Sequence, residues 1–515
     1  MSLSKRLLVI AVITALIAGI LFVGRKNNLM EAENKENAYY KTQTLYFWYS
    51  DERYTDFLTN AAVEFHAENP GTRVIPVLVS SFEYLKTIND ASVTGENFPD
   101  LYILSNESLE KACLAGLACK VKDYSGILND QHYPTAAIDA VTYRKEKIAY
   151  PLTFETTALM YNKTYLQEWV DSVNAGGKVE GEGVSLEDME ISEEDAENFE
   201  GTDNSSEQVE SSEQMTLESV IPKSFDDLYY FSDQYETKDK VKTLVKWDIS
   251  DVLYNYLFIG AYMQVGGDTG DDTSLIDIYN DKTLECMNAY KGLNDIFSFD
   301  SDADYETNLN GFLEGDSLFT IVSTDAIAKS RDLNDTKNSK IKELEDTLAD
   351  VTEKASKEAD AEGKEEADKA KIESIQKEID EIDVYEYDFA RIPYVKDTLK
   401  SRTLSVTDAI VINGYSEDKA DADKFATFLS DYCASMIYQK TGRLAASYSA
   451  GYEEGSAEKL FQEEYNDSIP LSKLVEASNL WVQLEITLKE IWNGSDPSEC
   501  LKALSEQIKS QLVTE

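Results

Sequence analysis

The chain is poor in histidine and lacks the common catalytic and phosphate-binding motifs. It has two histidines among 515 residues, His66 and His132, which leaves little room for histidine-based catalysis or a histidine-rich zinc site. No HExxH, Gly-x-Ser-x-Gly or Gly-Lys-Ser/Thr sequence is present. Residues 300–311 begin like a calcium loop, but Tyr305 replaces the required glycine. We therefore predict no metal ion and no cofactor.

Positive charge is also scarce. The chain has 48 Lys and Arg against 97 Asp and Glu, a net charge of −49. This balance argues against binding to nucleic acid, which needs basic patches, and against docking on anionic lipid. Between Val179 and Pro222 there is no Lys or Arg at all, and Asp, Glu, Ser and Gly dominate. We expect an acidic, disordered insertion over residues 171–221.

The cysteines do not form an obvious disulfide framework, because five cysteines cannot all pair. Cys113 and Cys119 flank Gly116, and a disulfide there would join a helix end to the next strand. The alternative, two free thiols, stays open at this point. The remaining cysteines are expected to be buried thiols.

An uncharged run at the amino terminus extends from Leu7 to Gly24, between Lys5-Arg6 and Arg25-Lys26. A run of this kind is either a long signal peptide or a short membrane-spanning anchor. No small-x-small cleavage site follows it. We therefore expect residues 1–24 to be an uncleaved, signal-like membrane anchor, residues 25–43 to be a polar tether, and the body to lie outside the cell.

The body is too long for one hydrophobic core, so at least two lobes are expected. Strands such as Thr44–Tyr49 and Phe98–Leu104 alternate with amphipathic helices such as Thr55–Asn69. This order predicts an α/β fold with a mostly parallel sheet. Because ligands bind beyond the carboxyl ends of such strands, Trp48–Arg53 and Leu104–Ser108 should line the mouth of the first lobe.

A second insertion is predicted over residues 333–384. Apolar residues follow 3-4-3 spacing in two stretches separated by a polar segment around Gly363, and no proline interrupts them. The members of the two apolar sets are Ile341, Leu344, Leu348 and Val351, then Ile372, Ile375, Ile379 and Ile382. Two helices of about 30 Å should therefore fold back as an antiparallel hairpin. Such a hairpin is either a tolerated decoration or a contact surface for a partner.

The segment Ile148–Tyr165 reads as a buried strand, a lone carboxylate at Glu155, a second apolar strand and a helix start at Asn162. It resembles the first hinge crossing of the family 1 extracellular solute-binding proteins, the maltose-type sugar-binding subunits of ABC importers. The helix start Pro222–Leu228 and the return strand Ser405–Asn413 also resemble that family. In total the resemblance covers residues 44–169, 221–330 and 386–512.

This resemblance implies a two-lobed, periplasmic-binding-protein-like fold with a hinge. The first lobe would comprise residues 44–152 and 394–435, and the second lobe residues 153–393 and 436–515. The implied ligand-binding residues lie at the strand ends, at the hinge and on helices of the second lobe. They are Trp48, Tyr49, Glu52, Arg53, Glu107, Glu155, Tyr254, Tyr256, Asp325 and Trp481.

Two aromatic platforms of the family are missing, because Leu104 and Asp325 stand where it has aromatic residues. A long glucan needs several stacked rings, so a monosaccharide, a short oligosaccharide or another polar solute fits better. The acids at positions 52, 107, 155 and 325 together could also favour a cationic ligand.

The resemblance implies capture of a solute by a monomer on the extracellular face of a Gram-positive cell, for delivery to an ABC permease. The family's lipidation motif is incomplete, because Ile20 follows Ile17-Ala18-Gly19 where a cysteine is required. Two alternatives remain open. One is a surface adhesion or scaffold protein on the same fold. The other is a glycoside hydrolase, since an acidic chain always offers carboxylate pairs, although the resemblance implies no enzymatic activity.

Overall fold

The computed structural model describes residues 42–80, 82–95, 97–175, 214–235, 238–297, 302–357 and 364–512. The expected anchor, nearly all of the expected tether and most of the acidic insertion lie outside these residues. Within them, no helix is both apolar and long enough to cross a bilayer. We expected the acidic insertion to be disordered, but its described margins are helical. Residues 171–174 finish one helix, and residues 217–220 form another.

Most of the strands belong to two sheets. In chain order the strands are β1 (Gln43–Tyr49), β2 (Thr72–Leu78), β3 (Leu101–Ser105), β4 (Thr142–Tyr143), β5 (Glu146–Lys147), β6 (Ala149–Glu155), β7 (Thr157–Asn162), β8 (Thr243–Lys246), β9 (Gln264–Val265), β10 (Ile276–Asp277), β11 (Ser317–Ser323), β12 (Tyr387–Ala390), β13 (Leu404–Ile412), β14 (Leu444–Ala445) and β15 (Ile469–Pro470).

The helices surround these sheets. They are α1 (Thr55–Glu68), α2 (Tyr84–Thr94), α3 (Leu109–Leu114), α4 (Thr135–Ala140), α5 (Lys163–Asn174), α6 (Leu217–Val220), α7 (Phe225–Gln234), α8 (Val252–Asn255), α9 (Asp281–Ile296), α10 (Tyr305–Leu313), α11 (Ala326–Lys357), α12 (Lys364–Asp380), α13 (Lys419–Thr427), α14 (Ala434–Thr441), α15 (Ala457–Asp467), α16 (Ser478–Trp492) and α17 (Pro497–Leu512). A π-helical turn, Phe428–Tyr432, joins α13 to α14.

The first sheet has the order β14-β6-β13-β3-β1-β2, with β15 joined to β13. Its first three strands in the chain are parallel, as expected, but β13 runs antiparallel to both β3 and β6. The expectation of a mostly parallel sheet was therefore wrong for the return strand. The physical reason is that β13 enters this lobe from the hinge, where β6 leaves it.

The second sheet has the order β12-β7-β11-β8. Strands β7 and β11 are buried along their whole length, which explains their continuous apolar sequences. The structure also shows why α7 begins where the sequence predicted a helix start. Ser224 and Asp227 form a capping box there, each side chain accepting from the backbone of the other residue.

The chain crosses between the two sheets three times. The first crossing is the step from β6 to β7 through Thr156, and the second joins β12 to β13 through residues 391–403. The third follows α15 and includes β15, which pairs with the start of β13. Thr156 is fully buried, and its hydroxyl donates to the carbonyl of Leu404 at 2.8 Å. The first two crossings are therefore bonded to each other.

Each lobe has its own aromatic core. Around the second sheet, Trp247 packs edge-on against Trp492 with ring centroids 5.3 Å apart. Around the first sheet, Phe47 and Phe65 both pack against Phe425 of α13. Phe154 of β6 stacks on Tyr465 of α15 at 4.1 Å, close to the crossings.

The segment 434–445 packs with the first lobe, whereas α15 contacts both α4 of the first lobe and strands β7 and β12 of the second sheet. Helix α14 contacts α1, and β14 pairs with β6. The sequence had placed residues 436–515 in the second lobe. We propose instead that the first lobe includes the chain to the end of α15, and that the second lobe resumes after β15.

All five cysteines are free thiols. The disulfide between Cys113 and Cys119 that the sequence left open is therefore not formed. Burial raises the pKa of the Cys113 thiol to about 11, with smaller contributions from Cys119 and Glu110. A thiol with such a pKa is a poor nucleophile at neutral pH.

The helical hairpin is confirmed and is longer than expected on its first arm. Helix α11 has 32 residues, which corresponds to about 48 Å. The arms are antiparallel, because Lys340 of α11 pairs with Glu378 near the end of α12. Their seam contains Leu344, Val351 and Ile375 and forms an apolar cluster separate from the cores of the two lobes.

Because this seam is separate, removing the hairpin should leave the lobes intact. We expect that replacing residues 341–378 by a short Gly-Ser linker changes the free energy of unfolding by no more than about 1 kcal/mol. Circular dichroism should show the loss of the two helices, and thermal unfolding should measure the stability. A loss of several kcal/mol would show that the hairpin supports the second lobe.

Candidate functional site

The carboxyl ends of β1, β3, β6 and β11 meet where the chain first crosses between the lobes. Ser50-Asp51 follows the end of β1, and Asp51 caps the next turn by accepting from the backbone N–H of Arg53 at 3.0 Å. Strand β6 ends in Glu155, and β11 leads directly to Asp325. Polar side chains from both lobes therefore lie around one junction.

On the first-lobe side, Arg443 holds two carboxylates. Its guanidinium donates to Asp51 from Nη2 at 2.9 Å and from Nε at 3.1 Å, and its Nη1 lies 3.5 Å from Asp408. Arg53 pairs with Asp51 from the other side at 2.8 Å. Burial by itself would raise the pKa of Asp51, but the hydrogen bonds from Arg53 and the charge of Arg443 outweigh it and lower that pKa.

Tyr54 completes this side of the site. Its hydroxyl lies 3.0 Å from Asp408 Oδ2, to which it donates, and 2.6 Å from the hydroxyl of Thr153. Arg443 lies over the Tyr54 ring at 5.8 Å from its centroid. Burial raises the pKa of the Tyr54 hydroxyl, and the charge of Asp408 raises it further. Tyr54 therefore stays protonated and holds Asp408 in place.

A cavity of about 230 Å³ opens beside this network, lined by Asp51, Asp408 and Arg443 among others. Tyr84 and Ser105 are also among its lining residues. Their hydroxyl oxygens are enclosed by protein and have no hydrogen-bond partner in the described part of the chain. Because these oxygens have almost no accessible surface, the groups that the cavity presents to a ligand are Asp51, Asp408 and Arg443.

Glu155 lies at the crossing itself and is half-buried. Burial raises the pKa of its carboxyl, Arg443 opposes that shift, and Asp325 and Asp408 add to it. The carboxyl thus has charged neighbours from both lobes. A half-buried carboxyl with such neighbours is a candidate for ligand contact.

On the second-lobe side, Asp325 accepts from the hydroxyls of Tyr305 at 2.5 Å and Ser323 at 2.8 Å, and it pairs with Lys329 at 2.7 Å. Burial would raise the pKa of Asp325, but these three donors outweigh burial and lower it. Tyr254 stacks on Tyr305 with ring centroids 4.8 Å apart. Asp325 is therefore an ionised, fixed acceptor.

The structure brings some of the sequence-predicted residues together and leaves others apart. Glu155, Asp325 and Tyr254 lie at the junction, and Arg53 reaches it through Asp51. Glu52 and Glu107 are exposed on short turns after their strands. Three predicted aromatic contacts pack against protein instead: Trp48 is half-buried on a core cluster, Tyr49 is buried and donates to Thr55, and Tyr256 is only 1% exposed.

Tyr256 and Trp481 form an edge-on pair with centroids 5.9 Å apart. Trp481 keeps part of its ring exposed, whereas the ring of Tyr256 is enclosed by protein. The enclosed ring of Tyr256 leaves no face on which a ligand could stack as expected. Trp481 remains a candidate platform for a ligand ring.

Sequence reasoning missed Asp51, Tyr54, Tyr84, Asp408 and Arg443. Asp51 had a signal, because it precedes the predicted acid by one residue in the same run. Arg443 had none, since it lies 392 residues from its partner Asp51. Within the described residues, no cluster of His, Cys, Asp and Glu is arranged to hold a metal ion.

The fold is similar to that of solved solute-binding proteins. An extracellular solute-binding protein from Staphylococcus aureus, in complex with maltose, matches with a TM-score of 0.63 and 14% identity, over 92% of this chain and 100% of that one. The maltose-maltodextrin binding protein of Alicyclobacillus acidocaldarius matches with a TM-score of 0.56 and 14% identity, over 91% and 100% of the chains.

The maltose-binding periplasmic protein from Listeria monocytogenes, in complex with maltose, matches with a TM-score of 0.60 and 16% identity, over 92% of this chain and 99% of that one. No protein-family model and no curated protein matches the sequence. The expected two-lobed α/β fold is thus confirmed at the level of structure. These neighbours are binding proteins, and at this identity the likeness defines the fold.

Proposed function

We propose that this protein captures a polar solute, a sugar or short oligosaccharide, outside the cell by closing its two lobes, and delivers it to an ABC permease. The observation that carries the proposal is the meeting of fixed polar groups from both lobes around Glu155. Arg443 and its two carboxylates come from the first lobe, and Asp325 comes from the second. The likeness to maltose-binding proteins supports the same reading.

The chemistry of the site suits hydroxyl groups. A sugar hydroxyl both donates and accepts, so it can donate to a carboxylate while accepting from Arg443. Hydrogen bonds to ionised groups are the stronger ones. Because Asp51, Asp408 and Asp325 are already held by partners, little rotational freedom is lost when a ligand binds.

Capture by closure requires that the solute binds the closed arrangement better than the open one. A solute that contacts Asp325 and Arg443 at once does this, because only the closed arrangement presents both groups. The small number of exposed rings at the junction favours a short ligand. The amino-terminal anchor, the monomeric state and the extracellular location belong to this proposal as well.

Calorimetric titration against a panel of neutral sugars, amino sugars and maltodextrins tests the proposal. We expect one short member to bind near micromolar affinity, which corresponds to about −8 kcal/mol. Glu155→Gln should weaken that binding by about tenfold or more, because it removes an ionised acceptor. The variant should still fold, since burial of the Glu155 charge is unfavourable to begin with.

Glu64→Gln is the matched control, because Glu64 is exposed on α1 and carries the same charge. It should bind as the unaltered protein does. The absence of binding across the whole panel would contradict sugar capture and favour the adhesion or scaffold alternative. An equal loss in both variants would contradict the assignment of the site to the junction.

A further inference from the structure

A second, larger cavity lies on the other side of the chain crossings. It has a volume of about 770 Å³ and is lined by the loop 391–394, by residues 400–403, by the chain before α7 and by the end of α15. Thr156 and Glu155 are neighbours in an extended chain, so their side chains point to opposite sides. Glu155 faces Arg443, whereas Thr156 bonds to Thr403, which lines the larger cavity. We call it the rear cavity.

The walls of the rear cavity are fixed by backbone hydrogen bonds. The N–H of Tyr394 donates to the carbonyl of Lys223 at 2.8 Å, and the N–H of Arg402 donates to the carbonyl of Leu257 at 3.2 Å. The hydroxyl of Ser401 donates to the carbonyl of Pro393 at 2.6 Å, which closes the loop. Its volume lies in the range of small-molecule sites, and its shape is largely formed in advance.

Three cations at this cavity form no direct ion pair. Among the described residues, no carboxylate lies within ion-pair distance of Lys223, Lys400 or Arg402. Arg402 donates to the backbone carbonyls of Asp467 at 2.8 Å and Ser468 at 3.2 Å, which fix the guanidinium without neutralising it. In a chain with 97 acids and 48 bases, three such cations around one cavity are unexpected.

The remaining charges define the polarity of the site. Arg391 is neutralised by Glu464 at 2.7 Å and Asp467 at 2.6 Å, and Glu218 is an exposed acid at the rim. The cavity also has an apolar surface from Ile221, Pro222, Ile392 and Pro393. The combination of fixed cations and an apolar wall suits a ligand that has both negative charge and a carbon skeleton.

We propose that the rear cavity is a binding site for a small organic polyanion, in which carboxylate or phosphate oxygens accept from Lys223, Lys400 and Arg402. A planar guanidinium and two ammonium groups match such oxygens. The net charge of the protein repels anions over most of its surface. Saturable binding of an anion therefore requires a local site of this kind.

Calorimetric titration with citrate, and separately with pyrophosphate, tests the proposal at 0.15 M salt, where long-range effects are screened over about 8 Å. We expect saturable binding of at least one of them. Citrate binding alone would indicate a carboxylate ligand, and pyrophosphate binding alone a phosphate ligand. The double variant Lys223→Gln/Lys400→Gln should weaken the binding by about tenfold or more.

The control is Lys440→Gln/Lys509→Gln, which removes the same charge from two exposed helical positions outside the cavity. It should bind the anion as the unaltered protein does. Equal weakening in both double variants, or no saturable binding of either anion to the unaltered protein, would overturn the proposal. The sugar panel should give the same result for both double variants, so failure of the rear site is distinguishable from failure of the junction site.

Discussion

Replacing Arg443 by methionine should lower the free energy of unfolding by about 3 kcal/mol and abolish solute binding. The side chain of Arg443 is only 22% exposed, and it neutralises Asp51 and Asp408, which are each about as buried. Among the described residues, removing Arg443 leaves Asp408 without a cationic partner and Asp51 with Arg53 alone. Breaking a buried ion pair in this way costs about 3–5 kcal/mol when burial is complete. The partial exposure of this network places the expected value at the lower end.

Two further variants make this expectation specific. Arg73→Met removes the same charge at an exposed position on β2 and should leave both stability and binding unchanged. Adding Asp408→Asn to Arg443→Met should restore part of the lost stability, because it removes one of the uncompensated carboxylates. Chemical unfolding measures all of these. If Arg443→Met is as stable as Arg73→Met, the network does not support the first lobe.

Lys473 should give the stability of the protein a pH dependence in the alkaline range. It is fully buried just after β15, and its ammonium donates to the backbone carbonyls of Asp139 at 3.0 Å and of Thr269. Burial lowers its pKa from 10.5 to about 8, against the opposing charges of Asp271, Asp139 and Glu110, while Lys147 lowers it slightly further. It thus joins helix α4 of the first lobe to a loop of the second.

The direction of the pH effect follows from proton uptake. Between pH 8 and 10.5 the unfolded chain keeps this proton and the folded protein has released it. The free energy of unfolding therefore rises with pH in this window. Relative to Lys473→Met, which cannot titrate, the unaltered protein should gain about 2 kcal/mol between pH 7 and pH 9.5. Other titrating groups are common to both proteins and cancel in this difference.

Unfolding by denaturant at several pH values measures this difference, with Lys440→Met as the control because Lys440 is exposed. The free energy of unfolding of the control should change with pH in the same way as that of the unaltered protein over the whole range. If the free energy of unfolding of Lys473→Met also changes with pH as that of the unaltered protein does, then Lys473 does not titrate in a buried position. The packing of the third crossing would then differ from that described.

Much of the fold could be predicted because its signals are local. The apolar face of α1, the capping box of α7 and the two apolar seams of the hairpin are each read from fewer than twenty neighbouring residues. Glu155 and Asp325 could be placed because Glu155 is the last residue of a buried strand and Asp325 lies two residues after the end of another. Strand ends are where side chains of an α/β fold converge.

The parts that the sequence did not reveal depend on distant contacts. The antiparallel direction of β13 follows from its entry at the hinge, and local periodicity carries no information on strand direction. Arg443 meets Asp51 only after α14 has packed on α1. The choice between Tyr254 and Tyr256 required their neighbours, since both are buried on the same short helical segment. Tyr254 stacks on Tyr305 beside Asp325, whereas Tyr256 packs against Trp481.

The central claim is that the two lobes close over a polar solute, and a distance measured across the junction tests it most directly. Spin labels introduced as unnatural amino acids at Phe82, which is fully exposed before α2, and at Val482 on α16 avoid the native cysteines. With the best-binding sugar at saturation, the distance between the labels should shorten and become more uniform. An unchanged distance distribution at full occupancy would contradict the account.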